Sequence, residues 1–165
     1  MKLSPQGLHL IASFEGFVPT CYDDSAGNCT IGYGHLVHYG PTTVADRVKR
    51  GKLTVAKALE LLNADAATAQ AAVTSAIKVR LGIIPSRQQA RYDALVSLAF
   101  NIGAGGFASS SLVRQINAKG APRDWTPIGP YWLEWDHAGG VVVQGLLNRR
   151  RTELAAYVAG KLPAF

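Results

Sequence analysis

Charged residues are scarce in this chain of 165 residues, where Asp, Glu, Lys and Arg make up only 17% of the sequence. Together with a hydrophobic content of 48%, this scarcity excludes an intrinsically disordered or highly charged tail protein. Long apolar runs are missing too, since no stretch approaches the roughly 20 residues that a membrane-spanning helix needs. With only two cysteines, the core has to form without a disulfide framework, and we expect a soluble chain of one domain or two small lobes.

Acidic residues are fewer than basic ones, 11 against 17, which gives a formal charge of +6. A surplus of this size favours a polyanionic partner, such as nucleic acid, an acidic membrane face or an acidic cell-wall polymer. The sequence has no helix-turn-helix signature and no alternation of aromatic and basic residues that would indicate nucleic-acid binding. Because the residues after Met1 lack the apolar segment of a signal peptide, we expect synthesis in the cytoplasm and export with outside help.

Helical patterns run along most of the chain. Ser4 and Pro5 are typical of a helix start, and the first helix is predicted to end at about Glu15. After Thr54, apolar residues recur every three or four positions, which predicts one long helix over about 54–80. Further helices are predicted over 43–50, from Ser86 onwards, and over 112–119, 131–137 and 146–159.

The segment 18–40 has a different pattern, in which glycines separate short β-like runs. Gly27 and Asn28 mark a turn between two of these runs, so the segment is predicted to be rich in β-hairpins. The whole order predicts an α+β chain with a small β-bearing lobe and a larger helical lobe. The predicted boundaries are about 16–53 for the β-bearing lobe, 54–80 for the linking helix, and 81–165 plus the N-terminal helix for the helical lobe.

Two carboxylic acids and a hydroxyl near the N-terminus have the spacing Glu-x8-Asp-x5-Thr. Glu15 falls on the same helical stripe as Ile11, and a carboxyl group facing an apolar surface favours the protonated form that a general acid needs. Asp24 precedes the hairpin turn and Thr30 follows it, so both are predicted to lie across a gap from the helix end. Two carboxyl groups in unlike environments are the apparatus of glycosidic-bond hydrolysis.

Each of these three residues also has a purely structural interpretation. Glu15 would reach solvent or pair with an arginine at the helix end. Asp24 would hold the hairpin turn through its own side chain, as its neighbour Asp23 would. Thr30 would be a strand residue of high β propensity.

Several motifs around and beyond these residues follow one another along the chain. They are Phe14-Glu15-Gly16, Tyr22-Asp23-Asp24-Ser25-Ala26-Gly27, Thr30-Ile31-Gly32-Tyr33-Gly34-His35, Ala94–Gly103, Ser110-Ser111-Leu112, and Gly145-Leu146 with Arg149-Arg150-Arg151 and Glu153. In content and order they resemble the phage-type lysozymes, or endolysins, a family of muramidases. The resemblance covers nearly the whole chain and implies a two-lobed, lysozyme-like α+β fold that forms a single catalytic domain over 1–165.

The resemblance also implies roles for the three candidate residues. Glu15 resembles the general acid of the family, and Asp24 resembles its second carboxylate. Thr30 resembles the hydroxyl that helps to hold the attacking water. Two carboxyl groups that leave room for such a water lie roughly 6.5–9.5 Å apart and give inversion at the anomeric carbon.

Further positions match the family outside this trio. Leu36, Phe100 and Ser111 resemble contacts of the saccharide cleft. His35 and Asp65 resemble a structural ion pair that joins the β segment to the long helix. The segment 120–130 fits the family less well, and no saccharide contact is assigned to it.

Two cysteines and two histidines have the spacing Cys-x7-Cys-x5-His-x2-His at Cys21, Cys29, His35 and His38. Structural zinc sites use much closer cysteine pairs, so no metal is expected here. Cys21 and Cys29 flank one hairpin, where a disulfide would close only in an oxidising compartment. Two thiols packed as small apolar groups fit the sequence equally well, because strand register cannot be read from it.

Aromatic and basic residues of the C-terminal half have more ordinary interpretations. The run Arg149-Arg150-Arg151 is predicted to lie mostly on a solvated face, with Arg149 pairing with Glu153. The three tryptophans are assigned to the core rather than to sugar stacking; they are Trp125, Trp132 and Trp135.

The expected function is that of a bacteriolytic muramidase. It would cleave the β-1,4 bond between N-acetylmuramic acid and N-acetylglucosamine in anionic peptidoglycan, as a monomer without cofactor, nucleic acid or stable membrane insertion. The resemblance implies release through a holin-type pore made by another gene. Two alternatives stay open: a lytic transglycosylase on the same substrate, and a non-catalytic, basic cell-wall-binding module.

Overall fold

The computed structural model describes residues 1–119 and 125–164, so part of the segment 120–130 that fits the family less well lies outside it. The chain forms two compact units. The smaller unit is Ile11–Ala67, and the larger one combines Met1–Leu10 with the residues from Thr68 onwards. The smaller unit extends beyond the predicted β-bearing lobe at both ends, because helical residues on each side belong to it.

The smaller unit contains a three-stranded antiparallel sheet. Its strands follow chain order and are β1 (Val18–Asp23), β2 (Cys29–Gly32) and β3 (His35–His38). The helices of this unit are the end of α1 (Pro5–Glu15), then α2 (Val44–Arg50) and α3 (Val55–Asp65). In the sheet, Thr30 lies opposite Tyr22 on one side and opposite Leu36 on the other. The predicted hairpin-rich segment and the predicted helix over 43–50 are confirmed.

A small apolar core holds the sheet of this unit together. Its fully buried members are Cys21, Cys29 and Ile31, with Val37, Leu53 and Leu61 packed against them at partial exposure. At Gly32, where φ is +70°, a side chain would bring a Cβ within 3.1 Å of Leu53 and 3.3 Å of Ala58. Only glycine therefore combines this backbone conformation with such a close approach of α3 to β2.

The single helix predicted over 54–80 is instead two helices, α3 and α4 (Ala67–Ala76), with Ala66 in a turn between them. Asn63 and Asp65 are poor helix formers and lie at this break. The second helix also ends earlier than predicted. The amide side chain of Asn117 donates to the carbonyl of Ala76 and accepts from the N–H of Lys78, which satisfies backbone groups at the helix end.

The larger unit is predominantly helical. Besides α4 it contains α5 (Pro85–Ile102), α6 (Ala104–Ser109), α7 (Ser111–Lys119), α8 (Gly129–Leu133), α9 (Gln144–Ala159) and the two-stranded hairpin of β4 (His137–Ala138) and β5 (Val141–Val142). Every residue of α5 from Ala90 to Ala99 is buried, and α5 packs along α9. Within the described ranges, no helix has both the length and the apolar character to cross a bilayer. The predicted α+β class is confirmed.

The helix predicted over 131–137 is wrong in its second half. Helix α8 ends at Leu133, and His137 begins strand β4. The turn of this hairpin is Gly139-Gly140, with φ of +58° and +79°. Two adjacent glycines with positive φ are typical of a type I′ hairpin turn, so this signal was present in the sequence.

Arg149 and Arg150 are buried, which corrects the prediction of a solvated face for them. The Glu153 carboxylate accepts hydrogen bonds from Arg149 Nε and from Arg150 Nη2, both at 3.0 Å, and from Ser97 Oγ at 2.6 Å. Only Arg151 of the three is exposed. The core assignment holds for Trp125 and Trp132, which are buried around Tyr157, whereas Trp135 keeps partial exposure.

Candidate active site

Glu15 is the last residue of α1 and is half-buried. The helix begins as predicted, since Ser4 Oγ accepts a hydrogen bond from the Gly7 N–H at 3.0 Å. Ile11, one turn before Glu15 on the same stripe, is fully buried. Gly16 follows with a φ of +71°, which ends the helix directly after the carboxyl group. The local sequence thus places Glu15 at a helix end, partly shielded from water.

Asp24 opens the turn between β1 and β2, and its carboxylate is held by the turn itself. Its Oδ1 accepts hydrogen bonds from the N–H groups of Ala26 and Asn28, each at 2.9 Å. The bond from the Asn28 backbone, with smaller contributions from Ala26, holds the pKa of Asp24 below the usual value for aspartate. Asp24 therefore acts as a turn residue and is an ionised carboxylate at the same time.

Thr30 lies on β2, next to the same turn, and is buried. Its hydroxyl donates to the Asn28 carbonyl at 3.1 Å. The hydroxyl is also one of the groups that lower the pKa of Asp24, although it contributes less than Asn28 and Ala26. The structure therefore brings Thr30 and Asp24 together as the sequence spacing suggests.

Tyr22 is influenced by the charges of both candidate carboxyl groups and had no role in the sequence-based assignment. Its pKa is raised by burial and then by the negative charges of Asp24 and Glu15. Both carboxyl groups of the candidate pair thus lie within electrostatic reach of one phenol. The sequence did contain a signal for Tyr22. Side chains alternate along a strand, so a residue two positions before Asp24 is expected on the same face, and the structure places Tyr22 opposite Thr30.

His35 and Asp65 are in contact within the smaller unit. His35 Nδ1 lies 2.9 Å from Asp65 Oδ2 and 3.1 Å from Oδ1, which ties β3 to the end of α3. The neighbouring Leu36 is exposed and lies opposite Thr30 in the sheet. Leu36 is thus an exposed, large apolar side chain on the strand that pairs with β2.

Phe100 and Ser111 are residues of the larger unit. Phe100 lies near the end of α5 and is partly exposed. Ser111 begins α7, and its hydroxyl donates a short hydrogen bond to the Glu134 carboxylate. Glu134 had no role in the sequence-based assignment, and its contact is visible only in the folded chain.

The four residues of the Cys-x7-Cys-x5-His-x2-His pattern do not form one cluster. His35 is engaged with Asp65, whereas Cys21 and Cys29 lie side by side as free, buried thiols. His38 lies near Cys29 and contacts Asp46, a residue outside the pattern. Cys29 and His38 of the pattern therefore lie close to the carboxylate of Asp46, which the spacing did not include.

Comparison with known proteins relates the chain to phage lysozymes and endolysins. The family model described as phage lysozyme matches residues 12–153. The endolysin of Salmonella phage P22 is 35% identical over 159 residues, covering 96% of this chain and 99% of that protein. The solved endolysin of Escherichia coli O157:H7 phage FAHEc1 superimposes with a TM-score of 0.78 at 34% identity, covering 99% of this chain and 98% of that one.

The endolysin of Bacillus phage PZA is a longer relative. It is 36% identical over 162 residues, which cover 97% of this chain but 56% of that protein, so the chain spans about half its length. The match of a family model to most of the chain, supported by these relatives, settles membership. The chain belongs to the phage lysozyme family.

Proposed function

We propose that this protein hydrolyses peptidoglycan and lyses bacterial cells, by cleaving the β-1,4 bond between N-acetylmuramic acid and N-acetylglucosamine. One arrangement carries the proposal: Glu15 is half-buried at the end of α1, whereas Asp24 accepts two backbone N–H groups of its turn, so the two carboxyl groups have different surroundings. Membership of the phage lysozyme family supports it. The formal charge of +6 also favours binding to an anionic wall polymer.

In the proposed mechanism, Glu15 is the general acid. Its carboxyl proton passes to the glycosidic oxygen as the bond from that oxygen to the anomeric carbon breaks. Asp24 is unsuited to this role, because the N–H groups of its turn stabilise the ionised form. The two carboxyl groups are therefore not interchangeable.

Asp24 and Thr30 orient the attacking water. The carboxylate accepts one proton of the water while the water oxygen bonds to the anomeric carbon from the face opposite the leaving group. Thr30 lies beside that carboxylate and adds a hydroxyl that positions the same water. A water between base and sugar gives inversion, in contrast to direct attack by a carboxylate.

Lysis of permeabilised bacteria, followed as loss of turbidity, tests the assignment. Glu15→Gln and Asp24→Asn should each reduce activity by about 10²–10⁴-fold, the usual cost of a lost acid or base. Asp23→Asn is the matched control, because it makes the same change one residue away, at a carboxylate that accepts the Thr42 N–H and lies outside the candidate trio. Wild-type protein that binds walls without clearing the suspension would identify a binding module instead.

Product analysis separates hydrolysis from the transglycosylase alternative. A hydrolase releases muropeptides with a reducing end, and a transglycosylase releases anhydro ends that are lighter by one water, so mass spectrometry distinguishes them. Proton NMR before mutarotation then identifies the anomer released first. An α product supports Asp24 as a base that acts through water, whereas a β product would make it a nucleophile.

We also assign saccharide contacts to Leu36, Phe100 and Ser111, on the strength of their match to the family. Leu36 is the best test of the three, because its side chain is exposed and its truncation should have little effect on the packing of the core. Leu36→Ala should raise KM with little change in kcat, since it removes contact to ground state and transition state alike. A selective loss of kcat would contradict a binding role.

Release through a holin-type pore is the corresponding proposal for the route to the wall. The chain expressed by itself should accumulate in bacteria without lysing them, and added chloroform should then cause rapid lysis. Spontaneous lysis on expression, without any membrane permeabilisation, would contradict the dependence on a pore.

A further inference from the structure

Three consecutive elements of the smaller unit each contribute one side chain to a cluster, and the strand before them contributes Cys21 beside it. Cys21 comes from β1, Cys29 from β2, His38 from β3 and Asp46 from α2. Metal-ligating atoms of Cys29, His38 and Asp46 all lie within 4.8 Å of one another. Cys21 adjoins Cys29, and its Sγ lies 4.0 Å from the Asp46 carbonyl oxygen. We propose that these four residues form a structural zinc site.

The orientation of His38 leaves its Nε2 atom available to bind a cation. Its Nδ1 lies 2.9 Å from the Tyr39 carbonyl oxygen, which can only accept, so Nδ1 carries a hydrogen. In the neutral ring, the lone pair of Nε2 then points towards Asp46 Oδ2, 3.1 Å away. Two acceptors that face each other need a proton or a metal ion between them. A backbone carbonyl on the opposite nitrogen is also the usual partner of a metal-bound histidine.

Asp46 is held in place by groups other than the proposed metal. Its Oδ2 accepts hydrogen bonds from the N–H of Thr43 at 2.8 Å and from the Thr43 hydroxyl at 2.6 Å, as part of the capping box of α2. Such bonds to a ligating carboxylate fix its direction. The capping box therefore positions the acidic ligand before any ion binds.

The chemistry of the four side chains favours zinc. Thiolates and imidazole are soft or borderline ligands that suit Zn²⁺ and are poor for Mg²⁺ or Ca²⁺. Cys21 and Cys29 are 2% and 0% exposed, so the site is closed on the thiol side. His38 and Asp46 are more exposed and give the ion an entry path. Four protein ligands leave no open position, which makes the site structural rather than catalytic.

The smaller unit has a clear use for such a cross-link. Its sheet is held by a small cluster around Cys21, Cys29 and Ile31. Helix α2, all of which the structure describes, has no buried residue of its own. A zinc ion would tie this helix to all three strands, and small units with little apolar core often use a metal in this way.

The test uses the reduced full-length chain, stripped of metal by a chelator and titrated with Zn²⁺. We expect one ion per chain. Co²⁺ at the same site should give thiolate-to-metal charge transfer and the strong visible bands of tetrahedral cobalt. His38→Gln should lower zinc affinity by at least about 10-fold. His9→Gln, an exposed histidine on α1, should leave it unchanged.

A second measurement does not depend on the folding of any variant. In the wild-type chain, bound zinc should slow alkylation of Cys21 and Cys29, and a chelator should restore the rate. Failure of the reduced chain to take up zinc, equal affinity of His38→Gln and wild type, or unchanged alkylation would each overturn the proposal. So would zinc uptake by a form in which Cys21 and Cys29 are joined in a disulfide. None of these readouts uses lytic activity, so the result is independent of the proposed reaction.

Discussion

Gly7 on α1 lies directly against the side chain of Asp93 on α5. A Cβ added at Gly7 would lie 2.5 Å from Asp93 Cγ and 2.7 Å from its Cβ. The reason for the close approach is that Asp93 holds the start of α1. Its carboxylate accepts the N–H of Ser4 at 3.0 Å and the Ser4 hydroxyl at 2.6 Å. The absent side chain of one residue thus makes room for the buried carboxyl group of another.

Gly7→Ala should therefore destabilise the protein, although alanine is the better helix former. Overpacking of a tight contact costs about 1–3 kcal/mol, against a helix-propensity gain of about 1 kcal/mol. The control is Gly105→Ala in α6, where a new Cβ meets no described atom within 4 Å. Urea unfolding should show a loss of stability at position 7 and none at position 105. Equal effects at the two positions would contradict the packing argument.

Asp93 should make stability depend on pH. Burial raises its pKa, in opposition to the hydrogen bonds from Ser4 and Gln89. The folded chain therefore keeps a proton that the unfolded chain has already lost, so folding stability falls as pH rises from the unfolded pKa through the raised one. Asp93→Asn has no such proton. The free energy of unfolding of the variant, relative to wild type, should increase between about pH 4 and neutral pH.

Differential scanning calorimetry of both proteins over this pH range checks the sign. Other carboxyl groups titrate equally in the two proteins, so their contributions cancel in the difference. A difference that does not change with pH, or one that grows towards acid, would show that folding does not raise the pKa of Asp93.

The charge of Glu153 should be important for the stability of the larger unit. Glu153→Gln would keep the shape but remove the carboxylate that accepts hydrogen bonds from the buried guanidinium groups of Arg149 and Arg150. Breaking a buried ion pair in this way costs about 3–5 kcal/mol. Glu60→Gln makes the same change in an exposed pair with Lys57 and should have little effect on urea unfolding. Similar midpoints for the two variants would contradict this prediction.

Features that depend on neighbours in sequence were predictable. The start of α1 at Ser4 and Pro5, the cap of α2 at Thr43 and the turn at Gly27 all follow from local chemistry. The carboxyl groups of the candidate site were found in the same way, from a helix end followed by a hairpin turn.

Features that depend on distant partners were not predictable. Arg150 looked like a surface residue, because nothing near it in sequence reveals that Glu153 also binds Ser97, 56 residues away. The position of Tyr22 opposite Thr30 depends on how the strands pair, and that of Asp46 beside His38 depends on where α2 packs. Strand register and helix packing arise from the whole fold rather than from local sequence.

Thr30 offers the most specific test of how the candidate site works. Thr30→Val removes the hydroxyl and keeps the shape of the side chain. The Asn28 carbonyl still accepts the Asp24 N–H at 3.0 Å, so no buried acceptor is left unpaired, and the cost in stability should be only about 1 kcal/mol. Under the proposed mechanism, activity should in contrast fall by about 10²-fold or more, because the attacking water would lose the Thr30 hydroxyl. Thr30→Ser retains the hydroxyl and should keep most of the activity.

The pH profile of the same variant adds a readout that a structural role would not change. The Thr30 hydroxyl helps to lower the pKa of Asp24, so its removal should raise that pKa towards the usual aspartate value. Because the base must be ionised, the acidic limb of kcat/KM should move to higher pH in Thr30→Val and stay in place in Thr30→Ser. A uniform loss of activity with an unmoved acidic limb would mean that Thr30 has only a structural role in β2. In that case Asp24 would have to orient the attacking water without help from the Thr30 hydroxyl.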